Sequence, residues 1–220
     1  VGMLLKHFRS ALLDADQLDA AGRQPQSRVD WTALLTVFEG KLTAFSRPDM
    51  PLIDRYRADV SSECRESGIR FDKGTYRLTV PTGGGKTLSS LRFAMHHARK
   101  QKLSRIFYFL PFTSIIEQNA KEVRHCLNQE DGISEIVLEH HCNLLPERKE
   151  EECYRRISEN FDAPIVYTTL VQFLNAVFTN DKRANRKLHR FADAVLIFDE
   201  IQSLPVPMLH IFNAALNYLA

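Results

Sequence analysis

Two stretches of this sequence hold residues whose types and spacing could handle a polyphosphate. The first is residues 76–87, YRLTVPTGGGKT: a short apolar run, Thr82, three consecutive glycines, then Lys86 and Thr87. Tyr76 to Val80 alternates and is rich in strand formers, which predicts a buried strand, and Leu88 onward predicts a helix. Lacking Cβ atoms, Gly83, Gly84 and Gly85 let backbone N–H groups converge on a phosphate at the helix N-terminus, where the dipole also favours negative charge. Lys86 would reach the β- and γ-phosphates of ATP, and the Thr87 hydroxyl would hold Mg²⁺. One position departs from the GxxxxGK[ST] pattern: Val80 stands where a first glycine is expected.

A phosphate-loop lysine needs a carboxylate elsewhere to position Mg²⁺ and another to polarise the attacking water. Residues 194–202, AVLIFDEIQ, supply both. The apolar run predicts a strand that delivers Asp199 and Glu200 to its C-terminal end, where α/β sheets place their ligand crevice. Asp199 would hold Mg²⁺ through water and Glu200 would act as the base. Gln202 could bond the γ-phosphate or a second lobe.

The stretches between suggest a nucleic-acid strand as the second ligand. In LPFTSIIEQN (110–119), Pro111 ends a strand, and Thr113 and Ser114 offer hydroxyls and N–H groups at a helix start, with Gln118 further along. YTTLVQF (167–173) repeats the arrangement with Thr168 and Thr169. Both could equally be helix N-caps. KRANRKLHR (182–190) holds five Lys or Arg and reads either as a phosphate contact or as a solvated basic face. His140, His141 and Cys142 look like metal ligands, but neighbours on a strand point to opposite faces, which favours a structural role.

These side chains need a scaffold, and the pattern supplies one. Helices are expected over 2–21, from Trp31 to about Phe45 with Asp30 as N-cap, and from about Ile53 to Glu66, closed by Gly68. From Tyr76 the pattern turns to strands at 76–80, 105–110, 134–138, 164–168 and 194–198. Helices alternate with them near 87–100, 114–127, 148–159, 169–179 and 206–219. That alternation predicts an α/β fold with a parallel sheet flanked by helices, preceded by an α-helical segment.

Composition agrees with a protein able to bury a core, 44% hydrophobic and 25% charged over 220 residues. The net charge of +2 puts any nucleic-acid surface in a local patch. Cys64, Cys126, Cys142 and Cys153 form no CxxC pair, which suggests a reducing, cytoplasmic setting. No apolar stretch approaches the roughly 18 residues of a membrane span, and no membrane partner is expected. The first residue, Val1, already sits in a helical pattern, so the chain is expected to begin within a longer protein.

Taken together the motifs resemble one family, the CRISPR-associated helicase/nucleases of type I systems, especially the subtype C form. VPTGGGKT, without its first glycine, looks like superfamily 2 motif I, PFTSIIEQN like motif Ia, TTLVQF like motif Ib and DEIQ like motif II. EHH (139–141), RKLH (186–189) and RSALLDADQLD (9–19) match connecting pieces of that family. The resemblance implies residues 1–23 as the C-terminal piece of an HD nuclease domain, 24–70 as a helical lead-in, and 71–220 as an incomplete first RecA-like lobe. It implies ATP-driven movement on single-stranded DNA opened by a guide-RNA surveillance complex. It further implies an HD centre holding a divalent transition metal, with Asp16 as a ligand and Asp14 as the second choice. These 220 residues hold no motif III and no second lobe, so the segment alone is expected not to turn over ATP at a useful rate, and 76–80 is expected to form a sheet edge. Another superfamily 2 translocase, or a binding module without turnover, are the rival readings.

Overall fold

The structure, a computed structural model, describes residues 2–22, 29–45, 49–129, 135–140, 154 and 157–219. Three helices come first: α1 (Gly2–Ala20), α2 (Trp31–Phe45) and α3 (Leu52–Arg70). The α/β part comes next as α4 (Lys86–Gln101), β1 (Arg105–Leu110), α5 (Thr113–Cys126), β2 (Val137–His140), β3 (Ile165–Thr169), α6 (Leu170–Phe178), a short α7 (Lys182–Asn185), β4 (Ala194–Phe198) and α8 (Val206–Leu219). Short 3₁₀ turns occupy Leu188–Phe191 and Ile201–Ser203. The four strands are parallel in the order β2-β3-β1-β4. This is the α/β fold, a parallel sheet flanked by helices, that the alternation predicts.

Strand period two sorts the core into two layers. Ile106, Tyr108 and Leu110 face α4 and α5, where Leu91, Met95 and Val123 meet them, and α2 adds Trp31, Leu35 and Phe38 to the same cluster. Phe107 and Phe109 face the other way, against Phe161, Phe173, Phe191 and Phe212. Each such ring is worth about 1.5–3 kcal/mol of burial. The lead-in helix α2 is therefore part of this lobe's core, and the Trp31 indole N–H donates to the Leu103 carbonyl at 2.7 Å.

Two local expectations are corrected. Residues 76–80 join no strand ladder, and among the described residues the sheet ends at β4 on one side and at β2 on the other. The reason is aromatic: Tyr76 stacks on Phe71 at 5.0 Å, meets Phe93 edge-on and donates its hydroxyl to the Asp72 carbonyl. That holds the segment against α3 and α4 and leaves Leu78 exposed. Nor does Gly68 close its helix. It lies inside α3, where a Cβ would stand 2.6 Å from the Phe93 carbonyl oxygen, so it is glycine to let α3 and α4 approach closely. Of the helix expected at 148–159, all but Tyr154 and 157–159 lies outside the described residues, as do His141, Cys142 and Cys153.

Candidate nucleotide site

The C-terminal ends of β3, β1 and β4 are level (Leu110 opposite Thr169, Phe109 opposite Phe198), so the residues leaving each strand share one edge. Asp199 continues that edge, its N–H donating to the Phe109 carbonyl at 3.1 Å. The glycine loop arrives beside it. Gly83 and Gly85 both have φ of +79°, a left-handed conformation that disfavours side chains, and Gly85 is the N-cap of α4. Gly84 is glycine for space, since a Cβ there would stand 2.4 Å from Val80 Cγ1. Thr82 is exposed on the loop and Thr87 is half-buried in the first turn of α4.

Lys86 Nζ lies 2.7 Å from Asp199 Oδ1 and 3.1 Å from Glu200 Oε1, tying the two motifs across 113 and 114 residues of sequence. Burial pulls the Lys86 ammonium down, but the bonds to Asp199 and Glu200 outweigh it and hold it above the usual lysine value. Glu200 sits at φ +53°, ψ 41°. That left-handed backbone, costing about 1–2 kcal/mol, accompanies an N–H bond to Asp199 Oδ1 at 2.9 Å. Gln202 donates its amide to the other Glu200 oxygen. Three of the expected residues thus form one hydrogen-bonded group around Lys86.

Arg57 carries no signal in the sequence. From α3 it donates Nε–H to the Gly83 carbonyl at 2.8 Å, its stem lines Gly85, and Asp54 holds its guanidinium at 2.9 Å. Nothing in periodicity marks a surface arginine as a loop brace.

The expected strand-tracking residues divide. Thr113 begins α5 half-buried, Ser114 and Gln118 are exposed, and the cap residue Phe112 contributes no side-chain cap. Thr169 caps α6, accepting from Gln172 N–H at 3.3 Å. Thr168 is fully buried and gives its hydroxyl to the His140 carbonyl, so it cannot meet a strand at the surface. Its place within β3, one residue before the strand end, turns it inward.

The basic run 182–190 is corrected in part. Lys182 and Arg183 are exposed, but Arg186 and Lys187 are buried. Arg186 Nε and Arg190 Nη2 donate to opposite oxygens of Asp14, at 2.7 and 2.8 Å. Asp14 is the buried carboxylate of α1 and is committed to this network, whereas Asp16 is exposed. Among the described residues no group of three His, Cys, Asp or Glu is placed to hold a metal ion.

Lys86→Ala is expected to weaken ATP binding by about 1.5–3 kcal/mol, the worth of a charged hydrogen-bond donor. Calorimetry with ATP measures it, and unchanged affinity would remove the nucleotide assignment.

A glycine loop between an extended segment and a helix, facing an acidic pair at a neighbouring strand end, marks a P-loop motor lobe. The chain belongs to the DEAD/DEAH box helicases, whose family model matches residues 69–210. Solved structures of T. fusca Cas3 share the fold. The ATP complex aligns with a TM-score of 0.61 and 20% identity over 93% of this chain and 22% of that one. The AMPPNP complex gives 0.62, 19%, 93% and 22%, and a third Cas3 structure gives 0.61, 19%, 95% and 23%. The chain thus spans under a quarter of the length of these solved chains. No match was found among curated proteins. No helix among the described residues is long and apolar enough to cross a membrane.

Proposed function

We infer that the chain is the ATP-binding lobe of a longer CRISPR-associated helicase/nuclease, moving along single-stranded DNA presented by a guide-RNA surveillance complex. The observation that carries this is Lys86 held between Asp199 and Glu200, which brings the phosphate-binding and water-activating groups to one point. In this reading Lys86 leaves the carboxylates to donate to the β- and γ-phosphates. Glu200, freed of the ammonium and steadied by Gln202, accepts the proton of the attacking water. Asp199 and the Thr87 hydroxyl are hard oxygen donors that fit Mg²⁺, which when bound neutralises phosphate charge. Thr113, Ser114 and Thr169 line the strand-end edge and would contact backbone phosphates. Asp16, exposed on α1, would offer one carboxylate to the HD centre and its divalent transition metal.

The test is ATP hydrolysis by the full-length protein with a panel of single-stranded DNA, duplex DNA and RNA. Stimulation by single-stranded DNA of any sequence, falling as salt rises, is the expected result. Stimulation by RNA alone would assign another superfamily 2 translocase. A strong preference for one DNA sequence at constant salt would overturn the backbone-tracking role of the threonines and serine.

A further inference from the structure

His140 and Lys187, from the EHH and RKLH stretches, take no part in the nucleotide site, yet they meet each other. His140 ends β2, and its Nε2 lies 2.9 Å from the Nζ of Lys187. The hydrogen-bond roles come from the surroundings. The Thr168 hydroxyl donates to the His140 carbonyl at 3.0 Å, so its oxygen is left to accept from His140 Nδ1–H at 3.3 Å. With the hydrogen on Nδ1, Nε2 is left as the acceptor for the Lys187 ammonium.

Lys187 is 8% exposed, and its Nζ lies 4.3 Å from the centroid of the Phe161 ring. Its close contacts among the described residues are therefore an imidazole nitrogen and an aromatic face. The carboxylate of Glu159 acts on it at longer range and also pairs with Arg186 at 3.6 Å. Burial, then repulsion from Arg186, pulls the Lys187 ammonium down to about 8. A buried cation without a close carboxylate is costly unless something anionic completes it.

Space for that anion is present. Lys187 and His140 line a cavity of about 370 Å³ shared with Gln172, Asn175, Asp181 and Arg183. Gln172 and Asn175 stand three residues apart on α6 and present amides, and Arg183 is exposed. Among the described lining residues Asp181 is the one carboxylate, and it is engaged in capping α7, accepting from the Ala184 N–H at 2.8 Å. Two cations and two amides, against one committed carboxylate, are the chemistry of a phosphate site.

We propose that this cavity seats a phosphate group, with Lys187 as its buried anchor and Arg183 as a second cation. A backbone phosphate of single-stranded nucleic acid and a free phosphate would satisfy it alike. The first is favoured because the Gln172 N–H bonds Thr169, which places the cavity within one helical turn of the strand-tracking edge. This rests on the nucleic-acid reading of that edge.

The experiment measures anisotropy of labelled oligo-dT on the 220-residue chain over a salt series, together with calorimetry of inorganic phosphate. Lys187→Met keeps the apolar stem against Phe161 and removes the charge. Its slope of log affinity against log salt should be shallower by about 0.7, the value for one phosphate contact on a single strand. The exposed Lys182→Met, of equal charge change, should leave the slope unaltered. Loss of inorganic phosphate binding in Lys187→Met with an unchanged DNA slope would assign the cavity to a free anion. An unchanged slope with no phosphate effect would overturn the proposal. Absence of oligo-dT binding by the unsubstituted chain would count against the strand-tracking reading, while the phosphate arm would still decide the cavity. Reductive methylation of Lys187 in the unsubstituted chain, read by mass spectrometry, needs no variant to fold. Slower labelling with oligo-dT or phosphate supports the site, and equal labelling with both overturns it.

Discussion

Glu200→Gln in the full-length protein is expected to lower DNA-stimulated ATP turnover by about 10²–10⁴-fold, the usual worth of a positioned general base. ATP affinity should stay close to that of the unsubstituted protein. The geometry separates the two effects. Lys86 bonds a Glu200 oxygen that the glutamine carbonyl can reproduce, and the Gln202 amide, which donates to the second oxygen, can turn to accept from the new N–H. Phosphate binding falls to the loop and Lys86, which the change leaves alone. The neutral amide cannot take a proton from water. Single-turnover hydrolysis and equilibrium nucleotide binding, measured side by side, check the expectation. Turnover retained in Glu200→Gln would move the base to another residue.

Asp14→Asn is expected to cost about 3–5 kcal/mol of stability, as removal of one member of a buried ion-pair network does. Asp14 is 3% exposed and receives Arg186, Arg190 and the Asn160 amide, with His189 Nε2 at 3.3 Å. Asparagine keeps the shape but takes the nearest carboxylate charge from two guanidinium groups, leaving Arg186 with Glu159 at 3.6 Å and Arg190 with Asp162 at 3.7 Å. Burial pushes the Asp14 carboxyl up, but bonds from His189 and Arg186 outweigh it and hold it well below the usual carboxylate range. A depressed carboxyl stabilises the fold above its ordinary value of 3.8, and that contribution is lost as pH falls below it. The gap in denaturant stability between the unsubstituted chain and Asp14→Asn should therefore be full at neutral pH and narrow in acid. A gap that stays constant through that range would show that the carboxylate charge is not what Asp14 contributes.

Much of the lobe was legible because its signals are local. RIFYFL and AVLIF are apolar runs that form strands over the residues expected, Arg105–Leu110 and Ala194–Phe198. The glycine run could only be a tight loop, and Gly83 and Gly85 do take positive φ there. Lys86, Asp199 and Glu200 were readable as a set because each needs the others for its chemistry.

What the sequence by itself determined, then, are elements set by neighbours a few residues apart: helices by their stripes, strands by their runs, a loop by glycine. The tertiary structure decided everything that depends on a contact from far along the chain. It buried Arg186 and Lys187, which as a charge run read equally well as solvated, because Asp14 lies 172 residues from Arg186 and His140 lies 47 from Lys187. Thr168 was withdrawn from the surface by the carbonyl at the end of the neighbouring strand, and 76–80 was held off the sheet by the Phe71 and Phe93 rings. Periodicity reports which face of an element is apolar. Whether a charged or aromatic side chain is buried depends on the partner that folding brings to it, and that partner has no fixed spacing in the sequence.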